Sequence, residues 1–108
     1  MADFVEIGSD DPTATKAFFA DVFGWQWEAF GDGDGGLVRD GDRQVGLHVE
    51  DTPLVVPYFT VDDIVATARR VTEAGGQVMG GVAEEGMLGR FATCTDPRGA
   101  RFGLHQRA

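Results

Sequence analysis

The apolar positions of this chain change period in a fixed order, and the order occurs twice. Phe4-Val5-Glu6-Ile7 alternates as a two-faced strand does, with Phe4 and Glu6 on one face and Val5 and Ile7 on the other. Ala14, Ala17, Phe18 and Val22 then recur at the three- and four-residue spacing of a helix with one buried face. Ser9, Asp10 and Asp11 supply capping oxygens ahead of it, Pro12 suits its first position, and Gly24 suits a left-handed stop. Residues 25–30 alternate again and predict a second strand. Leu37-Val38-Arg39 and residues 44–49 predict two more, with turns at the Asp/Gly-rich segments 31–36 and 40–42. The first half thus reads as a strand, a helix and three antiparallel strands.

The second half repeats it. Asp10-Asp11 and Ala14-Thr15 have counterparts in Asp62-Asp63 and Ala66-Thr67, and Gly24 in Gly76, each 52 positions on. Residues 55–61 predict a strand. The helix after Asp63 turns Ile64, Ala68 and Val71 inward and stops at Gly75-Gly76. Strands follow at 77–79, 89–95 and 101–105, with a long loop over 80–88 and a reverse turn at Asp96-Pro97-Arg98-Gly99. A period near fifty residues marks a duplicated supersecondary unit. The expected fold is α+β, one domain over residues 1–108 built from two βαβββ modules, 1–50 and 54–108, whose curved sheets each form half of a cleft.

Charge and cysteine usage narrow the function. Eighteen acidic against nine basic residues give a net charge of −9, which repels phosphate backbones and anionic lipid and tolerates a cationic or neutral small ligand. No apolar run reaches the ~20 residues of a membrane span, and Met1-Ala2-Asp3 does not open a secretory signal. The lone Cys94 excludes an internal disulfide, so a cytoplasmic location is expected. Cys94 alternates with Thr93 and Thr95, as a buried thiol in a strand would, with no base beside it. The Asp/Gly segment is a turn, not a calcium loop: Leu37 stands at the glycine position of that loop and Arg43 at its closing glutamate. Serine-elbow, dinucleotide and phosphate-loop patterns are lacking.

The duplicated βαβββ order, the helix ending Phe23-Gly24-Trp25 and the closing run Asp96-Pro97-Arg98-Gly99-Ala100-Arg101-Phe102-Gly103-Leu104 resemble one superfamily. It is the vicinal oxygen chelate group of glyoxalases, bleomycin- and fosfomycin-resistance proteins and extradiol dioxygenases. The resemblance implies four metal-ligand positions on cleft-facing strands, which fall here on Phe4, Gly46, Val56 and Gly103. None of these side chains has a donor atom, so neither a metal nor another cofactor is expected. Gly46-Leu47-His48 and Gly103-Leu104-His105 are the same tripeptide in each half, placing each histidine two residues beyond a vacated position on the same strand face. Glu6 and Tyr58 stand likewise two beyond Phe4 and Val56.

The candidate ligand-lining set is therefore Phe4, Glu6, Trp27, Gly46, His48, Val56, Tyr58, Met87, Gly103 and His105. In this set the glycines leave room, Trp27 shares a strand face with Trp25, and Met87 sits on a loop tip. No catalytic residue is assigned. The leading expectation is metal-free binding, or sequestration, of a small aromatic or cationic compound by a homodimer. The alternative is an enzyme: a metal-dependent glyoxalase or dioxygenase using a shifted Glu6/His48/His105 site, or a metal-free isomerase or epimerase with Glu6 or a histidine as base. A third possibility is a dimeric accessory domain whose cleft is plugged by Phe4, Trp27 and Met87.

Overall fold

A computed structural model describes residues 1–30 and 33–108. The chain divides into two compact units, residues 4–55 (module one) and residues 1–3 with 56–108 (module two). Strand β1 (Ala2–Ser9) leads into α1 (Pro12–Phe23), then β2 (Glu28–Ala29), β3 (Gly36–Asp40) and β4 (Arg43–Val49). Strand β5 (Leu54–Thr60) leads into α2 (Ile64–Glu73), β6 (Gln77–Glu84), a short 3-10 turn (Gly86–Leu88), β7 (Arg90–Thr95) and β8 (Arg101–Gln106). The strand order is β2-β3-β4-β1 in module one and β5-β8-β7-β6 in module two. In both, the first strand lies parallel to the last and the remaining pairs are antiparallel. The expected α+β architecture of two βαβββ units is present. No helix among the described residues is long and apolar enough to cross a membrane.

The helix ends follow from the sequence. Asp11 caps α1 by accepting the Ala14 N–H at 3.1 Å, and Ser9 Oγ accepts the Asp11 N–H while lying 2.6 Å from Thr15 Oγ1. Gly24 closes the helix at φ +71, its N–H donating to the Ala20 carbonyl at 2.8 Å. Asp63 caps α2 in the same manner through the Ala66 N–H, and the Ile64 N–H donates to Gln106 Oε1 on β8. Module two builds its core under α2: Ile64, Ala92, Cys94 and Leu104 are buried, with Val61, Ala68, Val71, Val78, Val82 and Phe102 packed on them. The inward face expected for this helix is the one observed.

Three local expectations are corrected. Helix α1 does not bury the predicted stripe: Pro12 is its only buried residue, and Phe18 and Val22 are exposed. Residues 25–27 are irregular, and the second strand is only Glu28–Ala29. Trp25 leaves the strand pattern because its ring stacks on Phe19 and Phe23 at centroid distances of 5.2 and 5.1 Å. The loop expected over 80–88 is instead mostly strand. Gly80 and Gly81 both take positive φ, the register with β7 shifts between Met79 and Ala83, and β6 continues to Glu84. Of the turn expected at 31–36, residues 31 and 32 lie outside the described residues.

Candidate functional site

In module one the polar centre is built on two parallel strands. Glu6 of β1 pairs in register with Gly46 of β4, and Gly8 with His48, so Glu6 and His48 stand on the same strand face with one residue pair, Ile7–Leu47, between their rows. His48 Nδ1 lies 2.6 Å from Glu6 Oε1, off the line of a hydrogen bond, and His48 Nε2 lies 2.7 Å from Glu50 Oε1. The three side chains are each about one-third exposed, so the array is wet on one side and braced on the other. Glu50 was not foreseen. It stands two residues beyond His48, and that spacing is the signal that could have found it.

In the same module, the space beside Gly46, a position the resemblance implies for a metal ligand, is filled. The Phe4 ring is buried and lies over Gly46, where a β-carbon would sit 3.0 Å from Phe4 Cζ. Module two repeats the device more tightly. Tyr58 pairs in register with Gly103, and its ring occupies the place of the missing side chain so closely that a β-carbon there would clash with it. Tyr58 is held by its hydroxyl, 3.0 Å from Thr93 Oγ1, and by an edge-on contact with Phe91. The expectation that Gly46 and Gly103 leave room for a ligand is therefore corrected: aromatic rings of the same module take up that volume. Val56 is buried as well.

His105 is unlike His48 despite the shared tripeptide. It is buried, its ring stacks on Phe91 at 4.4 Å and 9°, and its Nε2–H donates to the Leu88 carbonyl at 2.7 Å. A carbonyl oxygen only accepts, so this nitrogen carries the proton. Each histidine is thus engaged within its own module. The shifted Glu6/His48/His105 metal site finds no support in that geometry, and no group of three or more His, Cys, Asp or Glu among the described residues could hold a metal ion. The metal that the resemblance implies does not fit the residues at the positions it implies: Phe4, Gly46, Val56 and Gly103 carry no donor atoms, and His48 Nδ1, His48 Nε2 and His105 Nε2 already face carboxylates or a carbonyl.

Two candidates remain, Trp27 and Met87. Trp27 packs against Gly36 beside the Lys16 stem and meets Trp25 edge-on at 6.0 Å, so it belongs with the aromatic residues of α1 and not with a shared strand face. Met87 is 88% exposed on the 3-10 turn, which excludes it as a plug. Cys94 is buried among apolar neighbours, and burial pushes its thiol pKa up, the opposite of what a nucleophile needs.

Comparison with known proteins places this geometry in a family. The model of the Glyoxalase/Bleomycin resistance protein/Dioxygenase superfamily matches residues 2–104. The candidate glyoxylase CFP32 of Mycobacterium tuberculosis is 36% identical over 107 residues, covering 92% of this chain and 41% of that protein. The anthracycline biosynthesis protein DnrV of Streptomyces peucetius is 32% identical over 124 residues, covering 94% of this chain and 45% of that one. The chain thus spans less than half the length of these relatives. Methylmalonyl-CoA epimerase from Mycobacterium tuberculosis shares the fold with a TM-score of 0.75 at 17% identity, covering 99% of this chain and 87% of the epimerase. On the extent of these matches and the duplicated βαβββ architecture, the chain belongs to the Glyoxalase/Bleomycin resistance protein/Dioxygenase superfamily.

Proposed function

We propose that this domain binds a small cationic or aromatic molecule without a metal, and that the Glu6–His48–Glu50 array is its recognition centre. The observation that carries the reading is His48 held between two carboxylates at 2.6 and 2.7 Å, on a strand face that solvent reaches. The imidazole is hydrogen-bonded to Glu50 and lies against Glu6, and part-exposed carboxylates so placed suit an ammonium, amidine or hydroxyl donor. A chain of net charge −9 adds an attractive field for a cation. The 32% identity to a protein of anthracycline biosynthesis accords with a flat aromatic ligand. On this reading Phe4 is framework of module one, Val56, Tyr58, Gly103 and His105 are framework of module two, and the protein acts as a cytoplasmic homodimer.

A second reading is metal-free proton transfer, of the kind an isomerase or epimerase performs. The same array favours it, since a carboxylate hydrogen-bonded to an imidazole, as Glu50 is to His48, is a base with its positioning partner. Both ring nitrogens of His48 face carboxylates, which makes Glu6 or Glu50 the group that meets substrate and His48 the group that orients it. A thermal-shift and calorimetric screen of amines, antibiotics and aromatic metabolites in EDTA tests both readings. A hit that binds the wild type and is weakened at least tenfold in Glu6→Gln and Glu50→Gln supports the first. Unchanged binding in both variants sinks the array as the site. Turnover abolished in Glu6→Gln with binding retained selects the second.

A further inference from the structure

The face of β1 that turns away from the Glu6–His48–Glu50 array borders a second concavity. Side chains alternate along a strand, so Glu6 and Gly8 lie on the side of His48, while Ile7 and Ser9 lie on the side of α1. There an open groove of about 350 Å³ is walled by Ile7, Phe19, Leu54 and Val55, all of module one. That volume falls at the small end of the range of ligand pockets. Module two treats the equivalent positions as core. Fifty-two positions on, Ser9 and Phe19 become Val61 and Val71, and both pack on the residues buried beneath α2.

The buried end of the groove holds a hydroxyl hydrogen with nothing to receive it. Ser9 is 4% exposed, and its Oγ accepts the Asp11 N–H while lying 2.6 Å from Thr15 Oγ1. One hydroxyl donates to the other across that contact, and the second hydroxyl hydrogen has no acceptor among the described residues. Thr67, the counterpart of Thr15, returns its hydroxyl to the Asp63 carbonyl at 2.9 Å, whereas Thr15 turns to Ser9 and so into the groove lining. A buried donor without an acceptor is costly, which favours an occupant that brings an oxygen. The solvent end is acidic, since the exposed Asp10 lines it. Charge is also concentrated in this module. Residues 4–55 hold eleven of the eighteen acidic side chains and three of the nine basic ones, so they carry −8 of the chain's −9. Such a field attracts a cation and repels an anion.

We propose that this groove is a second small-molecule site, for a compact lipophilic ammonium compound that carries a carbonyl oxygen. The apolar body lies against Phe19 and Leu54, the carbonyl accepts from the Ser9/Thr15 pair, and the cationic group stands at Asp10. The site is separate from the Glu6–His48–Glu50 array and does not depend on it.

The test titrates phenacyltrimethylammonium into the nitrogen-15-labelled full chain in EDTA and follows the backbone amides by NMR. Two matched compounds run beside it: the neutral carbon isostere 3,3-dimethyl-1-phenylbutan-1-one, and trimethyl(2-phenylethyl)ammonium, which lacks the carbonyl. The expected result is shifts centred on Ser9, Thr15 and Leu54, with affinity at least about threefold above that of either matched compound. Asp10→Asn should bring the cation to within about twofold of its isostere. Val55→Arg, at a position 63% exposed, should abolish binding while circular-dichroism melting stays unchanged. No shift at these amides up to about 10 mM would overturn the proposal, as would a cation that binds no better than its isostere or than the compound without the carbonyl. Shifts that gather at Glu6 and His48 and vanish in Glu6→Gln would assign the cation to the array and equally overturn it, with the array reading left standing. Groove amides that move on dilution of the protein alone would show a second copy seated there, which also overturns it.

Discussion

A β-carbon at position 103 has nowhere to go, because the Tyr58 ring already stands there, braced by Thr93 and Phe91. Gly103→Ala should therefore cost about 1–3 kcal/mol in urea unfolding. Gly46→Ala should cost less, about 1 kcal/mol or below, since its obstacle is the far end of the Phe4 ring, which can tilt. Equal losses at the two sites would show that the module-two ring is no better fixed than the module-one ring. Cys94 gives a second residue-level expectation. Burial raises its folded-state pKa, so the unfolded thiol ionises first as pH rises. Through that window the unfolded state binds fewer protons than the native state, and stability falls with increasing pH. Wild type should lose stability relative to Cys94→Ala above about pH 8.5. Below that range the native thiol should resist a disulfide-exchange reagent until the protein unfolds.

At the scale of elements, the two helices were written with the same grammar and ended differently. Both have an aspartate cap that accepts the N–H three residues on; α1 closes on Gly24, and α2 on Ala74 just ahead of Gly75. Only α2 lays its apolar stripe over a core, with Ile64 fully enclosed. Removing the cap in Asp63→Ala should cost about 1 kcal/mol and lower the melting temperature by a few degrees, because α2 covers the module-two core and cannot fray without exposing it. Asp11→Ala removes the same hydrogen bond from a helix that covers less, so a smaller loss is expected there. The comparison of the two melts decides whether burial or capping holds these helices. Strand β6 makes a related point. Its glycine pair, read from composition as loop, is instead a bulge that carries pairing past itself.

For the whole molecule, the positions at which the family resemblance implies a metal, Phe4, Gly46, Val56 and Gly103, carry no donor atoms. Melting temperature should be unchanged, within about 1 °C, by EDTA or by added zinc, iron or manganese; a metal-dependent rise of several degrees would refute the metal-free reading, since a ligand binding only the native state stabilises it by mass action. The duplicated βαβββ order, the caps and the α2 stripe were all legible in the sequence. Each depends on local chemistry or on a repeat, which one chain displays without a partner in space. Four features were not legible: the rings over Gly46 and Gly103, the different surroundings of His48 and His105, the part played by Glu50, and the open face of α1. Phe4 and a ligand would fill the space over Gly46 equally well as far as pattern can tell, and the repeated Gly-Leu-His tripeptide says nothing of what stands opposite each imidazole. Those outcomes turn on which side chain reaches a shared volume first, and only the packed tertiary structure decides that.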